Sequence, residues 1–168
     1  MTLKESLGLT VVSLLMPCLL LAGCKTTPPA AAELQRLQGT WEGVALGKET
    51  PDGPFVKSAT VTITITGNSF HFHRDTNFWF ETTIALPAGT DPQQLHATIK
   101  DNAPSQGSNA IGKVVVAIFK IEGGTLTLAA RGDGSDETPI SFEDNNVTRY
   151  ELRKVRPQEK NIRPLQPK

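Results

Sequence analysis

From Thr40 onward, apolar side chains alternate one-for-one with polar ones in short runs that are separated by turn residues. Val61, Ile63 and Ile65 are interleaved with threonines, Phe70 and Phe72 with His71 and His73, and Leu126 and Leu128 with Thr125 and Thr127. A period of two sends successive side chains to opposite faces, so each run reads as a strand with one buried face. The pattern predicts strands at Thr40–Leu46, Ala59–Thr66, Ser69–Arg74, Trp79–Leu86, Gln94–Lys100, Lys113–Ile121, Thr125–Ala130 and Val147–Val155. Gly67-Asn68 and Gly123-Gly124 stand between adjacent runs, with the composition of tight hairpin turns. No helix-length pattern interrupts the series; Leu34 and Leu37 mark only one helical turn at its entrance. The fold class is therefore all-β. The expected architecture is a single antiparallel up-and-down β-barrel of about eight strands, with a β-sandwich as the alternative.

The N-terminal stretch follows a different pattern. Lys4 is followed by an apolar run from Leu7 to Leu21, interrupted by Pro17. That run is shorter than the roughly 20 residues a membrane-spanning helix needs, and Pro17 opposes a helix. It reads as a secretory leader. The leader ends in Leu21-Ala22-Gly23-Cys24, which resembles the lipobox of bacterial lipoproteins. The resemblance implies a signal peptide at residues 1–23, cut just before Cys24, and acylation of Cys24 itself. Two or more acyl chains, palmitate among them, anchor a protein stably where one does not. Lys25 stands where an Asp would favour inner-membrane retention, so the resemblance implies an outer-membrane anchor facing the periplasm. An ordinary cleaved signal peptide with a chance cysteine is the alternative. Residues 24–36, with Pro28, Pro29 and Ala30 to Ala32, then form a tether. The domain is expected over 37–155, and a basic, proline-containing tail over 156–168.

Charge and cysteine content narrow the function classes. Seventeen Lys and Arg residues balance 17 Asp and Glu residues, which argues against nucleic acid as a partner. Cys18 lies in the leader and Cys24 is the lipidation site, so no thiol is left for a disulfide and stability must come from an apolar core. The end of the chain carries Arg153, Lys154, Arg156, Lys160, Arg163 and Lys168 against Glu159 alone. Its prolines favour a solvated tail over one that contacts anionic lipid.

Two segments carry a further resemblance. Leu37-Gln38-Gly39-Thr40-Trp41 is similar to the Gly-x-Trp opening of lipocalins and related calycin barrels, and Thr148 to Arg153 to their closing strand. Between them, Ala117 to Leu128 is similar to a segment of the lipocalin-like domains of planctomycetes, and the likeness spans about residues 34–155. Phe119 stands where those domains have Tyr, and Gly124 where they have Asp, so any role of that hydroxyl or carboxylate does not carry over. The resemblance implies a barrel that binds a small apolar ligand. It also implies a cation–π contact of Trp41 with Arg149 or Arg153 that closes one barrel end.

Candidate chemistry is sparse. Phe70, Phe72, Phe78, Trp79 and Phe80 gather most of the chain's seven Phe and two Trp residues. If they point inward they line either an apolar ligand cavity or a filled core, and an eight-stranded barrel accommodates both. His71 and His73 share one strand face. Zinc requires three or four ligands, and only His96, Asp75 and Glu81 are available to join them, so a polar outer face is the favoured reading and no metal or other cofactor is expected. Gly132 to Glu137 lacks the ligand alternation of a calcium loop and reads, like Glu143 to Asn146, as a solvated turn. The serines lack a nucleophile elbow, so no catalytic residues are expected and an enzyme built on the histidines ranks last. Asp101–Asn109, rich in Gly, Ser, Asn and Pro, is a lid or a long turn. The second function class is an envelope interaction or inhibitor module that uses loops such as Thr50–Pro54 or Asn102–Gly112.

Overall fold

A computed structural model describes residues 30–131 and 136–156. The leader, Cys24, Lys25 to Pro29, Gly132 to Ser135 and the tail from Pro157 lie outside the described residues. The chain enters through helix α1 (Ala30–Leu37) and continues as eight strands. These are β1 (Gly39–Lys48), β2 (Phe55–Thr66), β3 (Ser69–Asp75), β4 (Phe78–Ala85), β5 (Gln94–Asn102), β6 (Val114–Glu122), β7 (Thr125–Arg131) and β8 (Val147–Lys154). Every strand pairs antiparallel with its sequence neighbour, and β8 returns to β1 from Trp41↔Lys154 to Leu46↔Arg149. The sheet is closed in the order β1 to β8, an up-and-down barrel and not a sandwich. Closure leaves no unpaired strand edge, which suits a chain whose strands expose one polar face to water.

The alternation sets the interior. Val61, Ile63 and Ile65 of β2, Phe70 and Phe72 of β3, and Leu126 and Leu128 of β7 are all buried, while His71 and His73 are exposed. Gly123 and Gly124 take φ of 56° and 79°, the two positive values that a tight β6–β7 hairpin requires. Gly43 serves another purpose. A Cβ there would stand 1.9 Å from the Glu151 carbonyl oxygen and 2.8 Å from the Leu152 Cα, so only glycine lets β8 approach β1 closely enough to seal the barrel.

Helix α1 corrects the expected tether. Residues 30–36 belong to the folded body, not to a linker, because Glu33 and Leu37 are 2% and 0% exposed. Three alanines favour the helix, and Arg36 bonds Glu33 Oε1 at 2.7 Å along its face. The helix then plugs one end of the barrel. Arg36 donates to the Ile121 carbonyl, and Gln38 brackets Gly67, donating to its carbonyl and accepting from its N–H. Beneath the plug, Leu37, Trp41, Ile65, Ile84, Leu95, Phe119 and Leu152 pack as one cluster. This end is closed.

A smaller cluster lies outside the sheet. Ile118, Ala129 and Val147 point outward and are covered by Phe55 and Phe142. Phe142 comes from the β7–β8 connection and Phe55 from the start of β2, and three acidic residues of the connection are salt-bridge partners: Arg149 holds Glu143, and Arg131 holds Glu137 and Asp144.

Candidate functional site

Above the closed end the inward positions become small. Gly43 and Ala45 follow Trp41 on β1, with Ala59 on β2, Ala97 on β5, Ala117 on β6 and Ala130 on β7. Removing side-chain volume from five strands leaves a cavity of about 420 Å³ toward the other end of the barrel. That volume lies within the range of small-molecule sites, roughly 300–1,000 Å³. The barrel is therefore filled at one end and hollow at the other.

One wall is aromatic. Phe70, Phe72, Phe78 and Phe80 all line the cavity. Phe72 and Phe80 stack with centroids 4.7 Å apart and planes 3° apart, while Phe78 and Tyr150 meet Phe72 edge-on at 5.9 and 5.6 Å. Such edge and offset contacts hold rings in fixed orientations. Trp79 does not join them. It falls on the opposite parity of β4, pairs with the outward His73, and offers its carbonyl to the Ala103 N–H.

Polar groups collect at the mouth, where Ser58, Arg74, Gln106, Arg131 and Thr148 complete the lining. Arg74 stacks on Phe78, 4.0 Å from the ring centroid, and its Nε donates to Asp75 Oδ2 at 3.0 Å. That hydrogen bond, with the Asn77 N–H, holds the Asp75 carboxyl below its usual range. Arg131 is more occupied, between Glu137 at 3.4 Å and Asp144 at 4.0 Å. Tyr150 lines the cavity, and its hydroxyl has no hydrogen-bond partner among the described residues. Burial pushes this phenol up to about 12, with Arg74 opposing, so at ordinary pH it is a neutral donor.

The segment after β5 is a folded cover at the mouth. Two 3-10 turns, Pro104–Gln106 and Ser108–Ala110, shape it. The buried Asn102 ties them down, its Nδ2 donating to the Ala103 carbonyl at 3.2 Å and the Gly107 carbonyl at 2.8 Å. Gln106 is thereby presented to the cavity.

The expected closing pair requires correction. The cation over Trp41 is Lys154, 5.2 Å from the ring, because Lys154 is the residue that pairs with Trp41 across β1 and β8. Arg149 lies five residues back along β8, outside the sheet, over Phe55 at 4.1 Å, and Arg153 pairs with Glu42 and Thr125. Trp41 is also held by a hydrogen bond from its Nε1 to the Leu37 carbonyl at 2.8 Å. On the outer wall, His71 lies 3.1 Å from Ser69 Oγ and 3.5 Å from Glu81, and His96 contacts Gln94. Among the described residues no three His, Cys, Asp or Glu side chains are grouped to hold a metal ion.

No protein-family model matches the chain, and no curated protein is similar enough to count as a relative.

Proposed function

We propose that this protein is a lipid-anchored binding module of the lipocalin-like kind, not an enzyme, and that it holds a small apolar ligand in the open half of its barrel. The observation that carries the reading is the 420 Å³ cavity walled by Phe70, Phe72, Phe78 and Phe80. Its apolar walls and few convergent polar groups have the composition of ligand sites. The Leu21-Ala22-Gly23-Cys24 sequence supports an acyl anchor at the outer membrane. With Cys24 acylated, only five residues, Lys25 to Pro29, separate the anchor from Ala30, a reach of at most ~20 Å. Since α1 plugs the closed end, that end faces the bilayer and the mouth faces the periplasm.

The test uses the full-length chain with Cys24→Ser, titrated with N-phenyl-1-naphthylamine, a neutral probe that fluoresces when shielded from water. Saturable binding at one site per chain is expected. An unsaturable signal, equal to that of an unrelated protein, would remove the reading.

One observation favours a second reading, a protein partner at the mouth. Among the described residues, Val56, Ile111, Val114 and Ile140 are exposed at the open end, Ile140 at 81%, against Val155 alone at the closed end. Capture of a stoichiometric envelope protein, abolished by Ile111→Glu with Ile140→Glu but not by the probe, would favour it over cavity binding.

A further inference from the structure

The mouth carries polar groups that an entirely apolar ligand would leave unused. Arg74 occupies an inward position at the end of β3, continuing the inward series of Phe70 and Phe72. Of its donors, only Nε is engaged by a protein acceptor among the described residues. Tyr150 reaches the same region from β8, linked to Arg74 through edge-on contacts of Phe72 with Phe78 and with Tyr150. The Tyr150 hydroxyl has no protein acceptor among the described residues, so it is free to donate to a ligand in the cavity.

The two arginines differ. Arg131 is flanked by two carboxylates and its side chain is 16% exposed. Arg74, 41% exposed at the mouth, has one carboxylate partner, Asp75, which is 48% exposed. Water screens that exposed pair, so Asp75 leaves most of the guanidinium's hydrogen-bonding capacity to a ligand at the mouth. A planar fork with its terminal nitrogens unused suits a carboxylate, which accepts two parallel N–H bonds. The Tyr150 hydroxyl supplies a third donor from the facing strand.

We propose that the ligand is an amphipathic carboxylate: its head accepts from Arg74 and the Tyr150 hydroxyl at the mouth, and its apolar body lies along Phe72 and Phe80. This rests on the cavity-binding reading above and adds the ligand's charge, polarity and direction. The head points to the periplasmic opening and the tail toward Trp41.

The experiment measures displacement of N-phenyl-1-naphthylamine from the full-length Cys24→Ser chain at neutral pH by dodecanoate and by dodecan-1-ol, which share a tail and differ in head. In Arg74→Gln the preference for dodecanoate over the alcohol should fall about tenfold, the ratio that one charge-assisted contact supports, with affinity for the neutral probe falling less than affinity for dodecanoate. Arg74→Lys should restore part of the preference, and Tyr150→Phe should lower it severalfold. An acid-to-alcohol ratio that Arg74→Gln leaves unchanged overturns the head-group assignment and leaves cavity binding standing. Equal loss of probe and acid in both Arg74 variants also overturns it, since Arg74 would then serve the fold. Absence of probe binding by the unsubstituted chain removes both readings together.

Discussion

Filling the cavity should stabilise the protein while abolishing binding, a combination that a packed core does not permit. Ala97 and Ala117 line the open half of the barrel from neighbouring strands, β5 and β6. Replacing either by Leu adds three carbon atoms directed into about 420 Å³ of space. At about 0.8 kcal/mol per buried methylene the gain is at most ~2.4 kcal/mol, and ordering the Leu side chain takes back roughly 0.5–1 kcal/mol. A net gain of about 1–2 kcal/mol is expected for each. In a filled interior the same substitution forces neighbours off their rotamers and costs about 1–3 kcal/mol. The sign of the change therefore distinguishes hollow from filled. Urea unfolding followed by far-UV circular dichroism gives it directly, as a midpoint that rises at unchanged slope. Probe titration of the Ala97→Leu, Ala117→Leu double variant should show lost binding. A lowered midpoint in both single variants would refute the argument, because it would mean that the inward alanines are matched by volume on the facing strands.

Four further outcomes follow from the geometry. Trp41→Phe strands the buried Leu37 carbonyl that accepts from Nε1 and should cost about 1–3 kcal/mol in urea unfolding, whereas Lys154→Met, which removes only the cation over the ring, should cost no more than about 1 kcal/mol. Gly43→Ala puts a methyl 1.9 Å from the Glu151 carbonyl oxygen, and since backbone cannot yield locally the loss should reach or exceed the ~1–3 kcal/mol of ordinary overpacking; an unchanged midpoint would show that β1 and β8 are not sealed at that point. Tyr150 is the only tyrosine, so alkaline absorbance titration should show one phenolate forming near 12 in the folded chain and near the ordinary value of 10.0 after unfolding; because the folded phenol holds its proton longer, its contribution to stability is complete below pH 10 and is lost as pH rises through 12. Arg149→Ala releases Glu143 and the cation over Phe55, and limited proteolysis should then cut the β7–β8 connection faster, with probe binding retained.

The strands were legible because period-two alternation survives in nearly all of them, and each hairpin carries its own turn residues. Their ends were not. β2 begins at Phe55, where the alternation predicted Ala59, because Phe55 and Val56 pair with Lys48 and Gly47 through backbone bonds that need no apolar pattern. Helix α1 was under-read for a related reason. Its stability comes from docking Leu37 and Glu33 on a barrel end that exists only after folding, so Ala30 to Ala32 looked like linker. The basic residue over Trp41 was misassigned because a cation–π partner depends on strand register, and a shift of one residue exchanges Arg153 for Lys154.

The cavity was half legible, and its missing half explains where function sits in this fold. Phe70, Phe72, Phe78 and Phe80 announce an apolar wall, but a wall serves a filled core equally well. The signal for hollowness is a row of alanines at matching depth, and alanine is informative only once the inward parity of every strand is known. Parity is broken at the open end. Ser58 is skipped where Ala45 and Leu46 pair with Ala59 and Lys57, and Arg74 is skipped where His73 and Asp75 pair with Trp79 and Phe78. Skipped Ser58 leaves the ladder and re-aims its hydroxyl to the cavity lining, whereas Arg74 keeps the inward parity of Phe70 and Phe72. Alternation thus builds the barrel and carries Arg74 to its mouth, while the irregularity at Ser58 adds a hydroxyl at the end that helix α1 leaves open.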